Sequence, residues 1–141
     1  MLDAVSESKA PAGSQPTRSL AQTRRVAAID IGTNSTHLLV ASVDTTLGTF
    51  SIEQAEKSTT RLGERDPDSG ELTSAGMQRG YETLRRFRDL AISHDVEQIV
   101  TAATSAVREA PNGREFLQSI QDGLDMDVDL VSGPEEARLI Y

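Results

Sequence analysis

Apolar positions along this chain recur with two periods. "RRVAAIDI" (24–31) is nearly all apolar in its second half, and "THLLVASV" (36–43) is a second apolar run. The first has the pattern of a strand buried on both faces, and the second predicts a neighbouring strand. "TFSIEQAEKSTTRL" (49–62) is more polar and predicts a third strand nearer an edge. "GERDPDSGEL" (63–72), with Pro67 and two glycines, is a loop.

The period then lengthens. Thr73 or Ser74 opens a long helix in which Met77, Tyr81, Leu84, Phe87 and Ala91 form one apolar stripe. Arg79, Glu82, Arg85, Arg86 and Asp89 lie mostly off it, as a solvated face. "EQIVTAATSA" (97–106) predicts a fourth strand and "NGREFLQSIQDGL" (112–124) a second helix. In that helix Asn112 and Glu115 have capping-box spacing, Phe116, Leu117 and Ile120 make the apolar face, and Gly123 is the expected stop. "DVDLVS" (127–132) predicts a fifth strand, and "SGPEEARLIY" (132–141) opens a third helix.

The order β-β-β-α-β-α-β-α places hairpins before crossover helices. It predicts an α/β fold with a mixed five-stranded sheet and flanking helices. The chain stops inside an apolar helical pattern, so a fragment of a longer protein is expected.

Composition narrows the function classes. With 141 residues the chain suits one domain, and with 4% aromatics its core must be aliphatic. The absence of cysteine excludes disulfides, Cys-ligated zinc and a cysteine nucleophile, and fits a reducing, cytoplasmic setting. A net charge of −8 argues against a nucleic-acid partner. No apolar run reaches membrane-spanning length, and no secretory signal is present. Residues 1–25 are rich in Ser, Ala, Pro and Gln, with four basic and two acidic side chains, and read as a disordered tail. An organelle transit peptide is the lesser alternative, because Asp3 and Glu7 do not suit one.

Three stretches carry candidate chemistry. Between the first two strands, Gly32, Thr33, Asn34 and Ser35 supply backbone N–H groups and short hydroxyls, which suit either a hairpin turn or a phosphate cradle. Asp30, at the strand end, suits a hydrated Mg²⁺ that bridges phosphate oxygens. Arg108, in "TSAVREAPNG" (104–113), falls beyond a strand's carboxyl end, where such sheets bind ligands, and arginine forks onto phosphate. In "SGPEEARLIY", Ser132 and Glu135 have capping-box spacing, with Pro134 in the first turn, so Glu135 has a structural role. Glu136 has none, and is the better candidate for orienting or deprotonating a water. In "RLGE" (61–64), Arg61, with nearby Lys57, is a weaker candidate to face an anion. His37 and His94 are isolated in the sequence, and each is read as a packing or surface residue.

Together, "AIDIGTNSTHLLVA", "RLGE", "ATSAVREAPNG" and "VSGPEEARLIY", in that order, resemble the exopolyphosphatase / guanosine pentaphosphate phosphohydrolase (Ppx/GppA) family. That family belongs to the sugar-kinase, heat-shock-ATPase and actin superfamily. The resemblance runs from about Val26 to Tyr141. It implies a ribonuclease-H-like N-terminal half-domain over 26–141, truncated at its C-terminal end, with the active site in a cleft between two related halves. It implies that Asp30, Gly32, Asn34 and Ser35 line the first phosphate loop, that Arg108 binds substrate phosphate, and that Glu136 activates the attacking water. The implied activity is hydrolysis of a terminal phosphoanhydride of polyphosphate or guanosine pentaphosphate, with Mg²⁺ as cofactor and a homodimer as one assembly of the full-length protein. The second glycine-rich phosphate loop would follow residue 141, so the fragment alone is expected to be inactive. A small-molecule kinase and a non-catalytic phosphate-binding half-domain remain the alternatives from other classes.

Overall fold

The computed structural model describes residues 23–132. The elements are β1 (Thr23–Ile31), β2 (Ser35–Asp44), β3 (Thr49–Thr59), α1 (Ser74–Ser93), β4 (Gln98–Ala103), α2 (Ser105–Glu109), α3 (Gly113–Leu124) and β5 (Val128–Leu130). The strands form one sheet in the order β3-β2-β1-β4-β5. β1, β2 and β3 pair antiparallel as successive hairpins, whereas β4 and β5 join parallel to β1, as crossover helices require. The mixed five-stranded sheet expected from the pattern is present, and the polar third strand is indeed an edge.

The helices bury one face of the sheet. Ala27, Ile29 and Ile31 of β1, Leu38 and Val40 of β2, and Ala103 of β4 pack with Leu84, Phe87, Val107, Phe116 and Ile120 in a single core. The opposite face carries Ala28, Leu39, Phe50, Ile52 and Val100, of which Phe50 and Ile52 are 66% and 57% exposed. The expectation that "RRVAAIDI" is buried on both faces is therefore corrected. Among the described residues β1 alternates, with Ala28 and Asp30 exposed between buried neighbours.

α1 starts where the pattern placed it: Thr73 is the N-cap, and its hydroxyl accepts from the Gly76 N–H. Four other expectations shift. β1 begins at Thr23, inside the segment read as tail, because Thr23–Arg25 pair with Ser42–Asp44 and Arg25 forms an ion pair with Glu53. "EQIVTAATSA" is not one strand: β4 ends at Ala103 and a five-residue helix, α2, follows. Asn112 is the N-cap of α3 but makes no side-chain cap bond. Its amide is instead buried, accepting from the Leu72 N–H and donating to the Leu72 carbonyl. Gly123 lies within α3 against Tyr81, and Asp125 ends the helix in a left-handed conformation. Most of the expected tail (1–22) and the expected third helix, with Glu135 and Glu136, lie outside the described residues.

Candidate phosphate site

β1, β4 and β5 are parallel, so their carboxyl ends share one edge of the sheet. Thr104 at the end of β4 donates its N–H to the Ile31 carbonyl at the end of β1, and Val131 donates to Ala103. Ligands of open α/β sheets bind at this edge.

At the end of β1 the chain turns through Gly32, Thr33 and Asn34 into β2, with Gly32 N–H bonded to the Ser35 carbonyl at 3.0 Å. The turn is a true hairpin, and its polarity is sorted. The Asn34 carbonyl accepts from the amides of Thr60 and Arg61, and the Thr33 carbonyl from that of Gly63 at 2.8 Å. Among the described residues, the Thr33 and Asn34 amides donate to no backbone carbonyl. Carbonyls face the supporting loop while N–H groups and hydroxyls are left for an anion, which is the arrangement a phosphate oxygen needs.

The supporting loop is the "RLGE" stretch. Leu62 is buried, and Arg61 sits at φ 52°. Gly63 presses so closely on Thr33 that a Cβ there would meet the Thr33 methyl carbon at 2.3 Å. The Arg61 guanidinium pairs with Glu64 at 3.6 Å, and the same carboxylate pairs with Arg79 at 3.1 Å. Arg61 is thus tied to the turn through its backbone N–H, with a carboxylate already beside its exposed guanidinium.

α2 forms the other flank. Ala106 and Val107 bury it in the core. Arg65 donates to the Ala106 carbonyl at 2.7 Å, and Gly113 fits flush against Val107, where a Cβ would lie 1.9 Å from the carbonyl oxygen. The first residue of α2, Ser105, brings its hydroxyl to 3.3 Å from that of Thr33. Sequence reasoning passed over Ser105, since nothing in a lone serine after a strand distinguishes it. Arg108 lies one turn further on, and its guanidinium donates to the Val131 carbonyl and lies 3.8 Å from Glu109. Arg108 and the Gly32–Ser35 turn therefore share the strand-end edge, but in this structure the arginine engages the end of β5.

Register explains the rest of the edge. On the face opposite α1 and α3, Lys57, His37, Asp30, Ala102 and Asp129 form one row across all five strands. His37, isolated in the sequence, is the cross-strand neighbour of both Asp30 and Lys57. His94 lies at the far end of the sheet, 3.9 Å from Glu53. Among the described residues no group of three or more His, Cys, Asp or Glu side chains converges on one point. Asp30 offers a single exposed carboxylate. That donor fits a Mg²⁺ held mainly by substrate phosphates and water, rather than one caged by protein. No helix among the described residues is long and apolar enough to cross a membrane.

A sequence profile of the Ppx/GppA phosphatase family matches residues 39–141. The chain belongs to this family. The fold agrees with solved members of the Ppx/GppA family. A family member from Aquifex aeolicus superposes with a TM-score of 0.77 at 29% identity, over 82% of this chain and 37% of that one. A second Aquifex aeolicus Ppx/GppA structure gives 0.74 at 31% identity, over 81% and 37%. An exopolyphosphatase from Cytophaga hutchinsonii gives 0.76 at 32% identity, over 82% and 36%. The chain thus spans little more than a third of the solved Ppx/GppA proteins, in keeping with an N-terminal half-domain of the expected α/β class.

Proposed function

We propose that this chain supplies one wall of a site that hydrolyses the terminal phosphoanhydride bond of inorganic polyphosphate. The observation that carries the reading is the sorted turn at Gly32–Ser35, with carbonyls tied back by the 60–63 loop and N–H and hydroxyl groups left outward. In this reading the Thr33 and Asn34 amides and the Thr33 and Ser35 hydroxyls bind oxygens of the terminal phosphate. Arg108 leaves the Val131 carbonyl to fork onto the same group. Mg²⁺ held by Asp30 would neutralise charge on the phosphates. Glu136, four residues beyond Ser132, holds the attacking water in line and takes its proton. Guanosine pentaphosphate presents the same terminal anhydride and is the second substrate. With little more than a third of the family's length, the chain by itself is proposed to bind phosphate without turnover.

The test is phosphate release from each substrate with Mg²⁺, by a form of the protein that also carries the second phosphate loop. Glu136→Gln keeps size and removes the base, so turnover should drop roughly 10²- to 10⁴-fold. Glu135→Gln retains a capping-box residue and should keep most activity. A dead Glu135→Gln beside a near-normal Glu136→Gln would reverse the assignment.

A further inference from the structure

We infer that Ser105 is a further phosphate-binding residue, acting with Thr33 as a pair of hydroxyls that grip one substrate oxygen from two sides. The inference rests on the phosphate reading of the Gly32–Ser35 turn and adds to it a contact from a separate element. The two hydroxyls are 3.3 Å apart and belong to chain segments 72 residues distant. Each hydroxyl has one proton and can accept as well as donate. Two such groups hold two protons, and the bond between them uses one. The other O–H remains to donate, and an anionic oxygen arriving between them can take both.

The rest of the structure fixes Ser105 in that position. The neighbouring Thr104 is already committed, since its N–H and hydroxyl both donate to the Ile31 carbonyl, at 3.2 and 3.4 Å. The next residue, Ala106, is buried and held through its carbonyl by Arg65. Between these anchors the Ser105 side chain has Thr33 as its hydrogen-bond partner among the described residues. These contacts hold the start of α2 in place, and none of them uses the Ser105 hydroxyl. That hydroxyl is available for a ligand whose other oxygens lie on the turn.

The 141-residue chain itself serves for the test, with linear tripolyphosphate as the probe and backbone amide shifts as the readout. In the parent chain the amides of Thr33, Asn34 and Ser105 should move together along one binding curve. Ser105→Ala should weaken binding about tenfold, the value of one hydrogen bond to a charged acceptor. Ser105→Thr keeps the hydroxyl and should restore binding to within about twofold of the parent. A purely structural role is separated by repeating Ser105→Ala in a Thr33→Val background. If the serine touches the ligand, the loss persists there; if it only props Thr33, the loss vanishes. An unchanged affinity in Ser105→Ala, or a loss that disappears with Thr33→Val, overturns the inference while shifts at Thr33 and Asn34 keep the phosphate reading. A chain with no tripolyphosphate-dependent shift in the turn overturns both.

Discussion

Replacing Gly63 by alanine tests whether the "RLGE" loop shapes the Gly32–Ser35 turn. The added Cβ would lie 2.3 Å from the Thr33 methyl carbon and 3.3 Å from the Thr33 carbonyl oxygen. The Gly63 N–H is held on that carbonyl at 2.8 Å, so the backbone cannot easily withdraw. Rotating Thr33 about χ1 relieves the methyl contact only by carrying the hydroxyl away from Ser105. Forcing a methyl into such a contact costs about 1–3 kcal/mol. Alanine also restricts the unfolded chain, which returns about 0.4–1 kcal/mol. Gly63→Ala should therefore destabilise by roughly 0.5–2 kcal/mol in urea unfolding. Thr33→Ser deletes the offending methyl and keeps the hydroxyl. In that background only the 3.3 Å approach to the Thr33 carbonyl oxygen remains, so Gly63→Ala should cost clearly less than in the parent. The cycle cancels the unfolded-state contribution and should give a coupling of about 1–3 kcal/mol. Equal costs of Gly63→Ala in the two backgrounds, to within about 0.5 kcal/mol, would refute the claim that Gly63 acts through Thr33.

Two further outcomes follow from other contacts. Asn112→Ala strands the buried N–H and carbonyl of Leu72, and should cost about 2–4 kcal/mol in the same unfolding assay; a cost below about 1 kcal/mol would show that water or a local shift replaces the clamp. The backbone N–H groups of Ser69 and Asp68 hold the Asp66 carboxylate below its ordinary value of 3.8. Its stabilising contribution is thus full above the ordinary carboxylate range and is lost as pH falls through the lowered folded value. A carboxyl NMR titration should place the Asp66 midpoint below 3.8, and a midpoint at or above it refutes the turn geometry.

The sequence carried most of the frame, because long apolar periods and hairpin turns are local. Thr73 capping and the Leu84–Phe87–Ala91 stripe depend on residues three and four apart, and both are present as expected. What escaped depends on distant partners. α2 has five residues, too few for a helical period to show, and its place is set by burial of Ala106 and Val107. Asn112 has the spacing of a cap, yet Leu72, forty residues earlier, claims its amide. The alternation of β1 was hidden by alanine, which reads as apolar whether its face is covered or, like Ala28, open to water. At the edge, Gly32–Ser35 was legible as a polar turn between two strands, but which of its groups are tied back by the 60–63 loop was not. The close fit of Gly63 and the position of Ser105 were not, since both are contacts with Thr33 from other segments. Arg108 was legible as an arginine near the strand ends, and its bond to Val131 was not.

The mixed sheet also dictates an order of assembly. The β1–β2 hairpin closes a turn of a few residues, so the Gly32–Ser35 turn forms among neighbours in the chain. The Thr33–Ser105 pair closes 72 residues and exists only after β4 has docked parallel to β1. On loop-closure entropy the second event is disfavoured by roughly 2–3 kcal/mol relative to the first. On that ground the half of the candidate cradle made by β1 and β2 should form before the half made by α2. A ligand that needs both halves recognises only the finished chain, so its binding acts by retarding unfolding and leaves the rate of folding untouched.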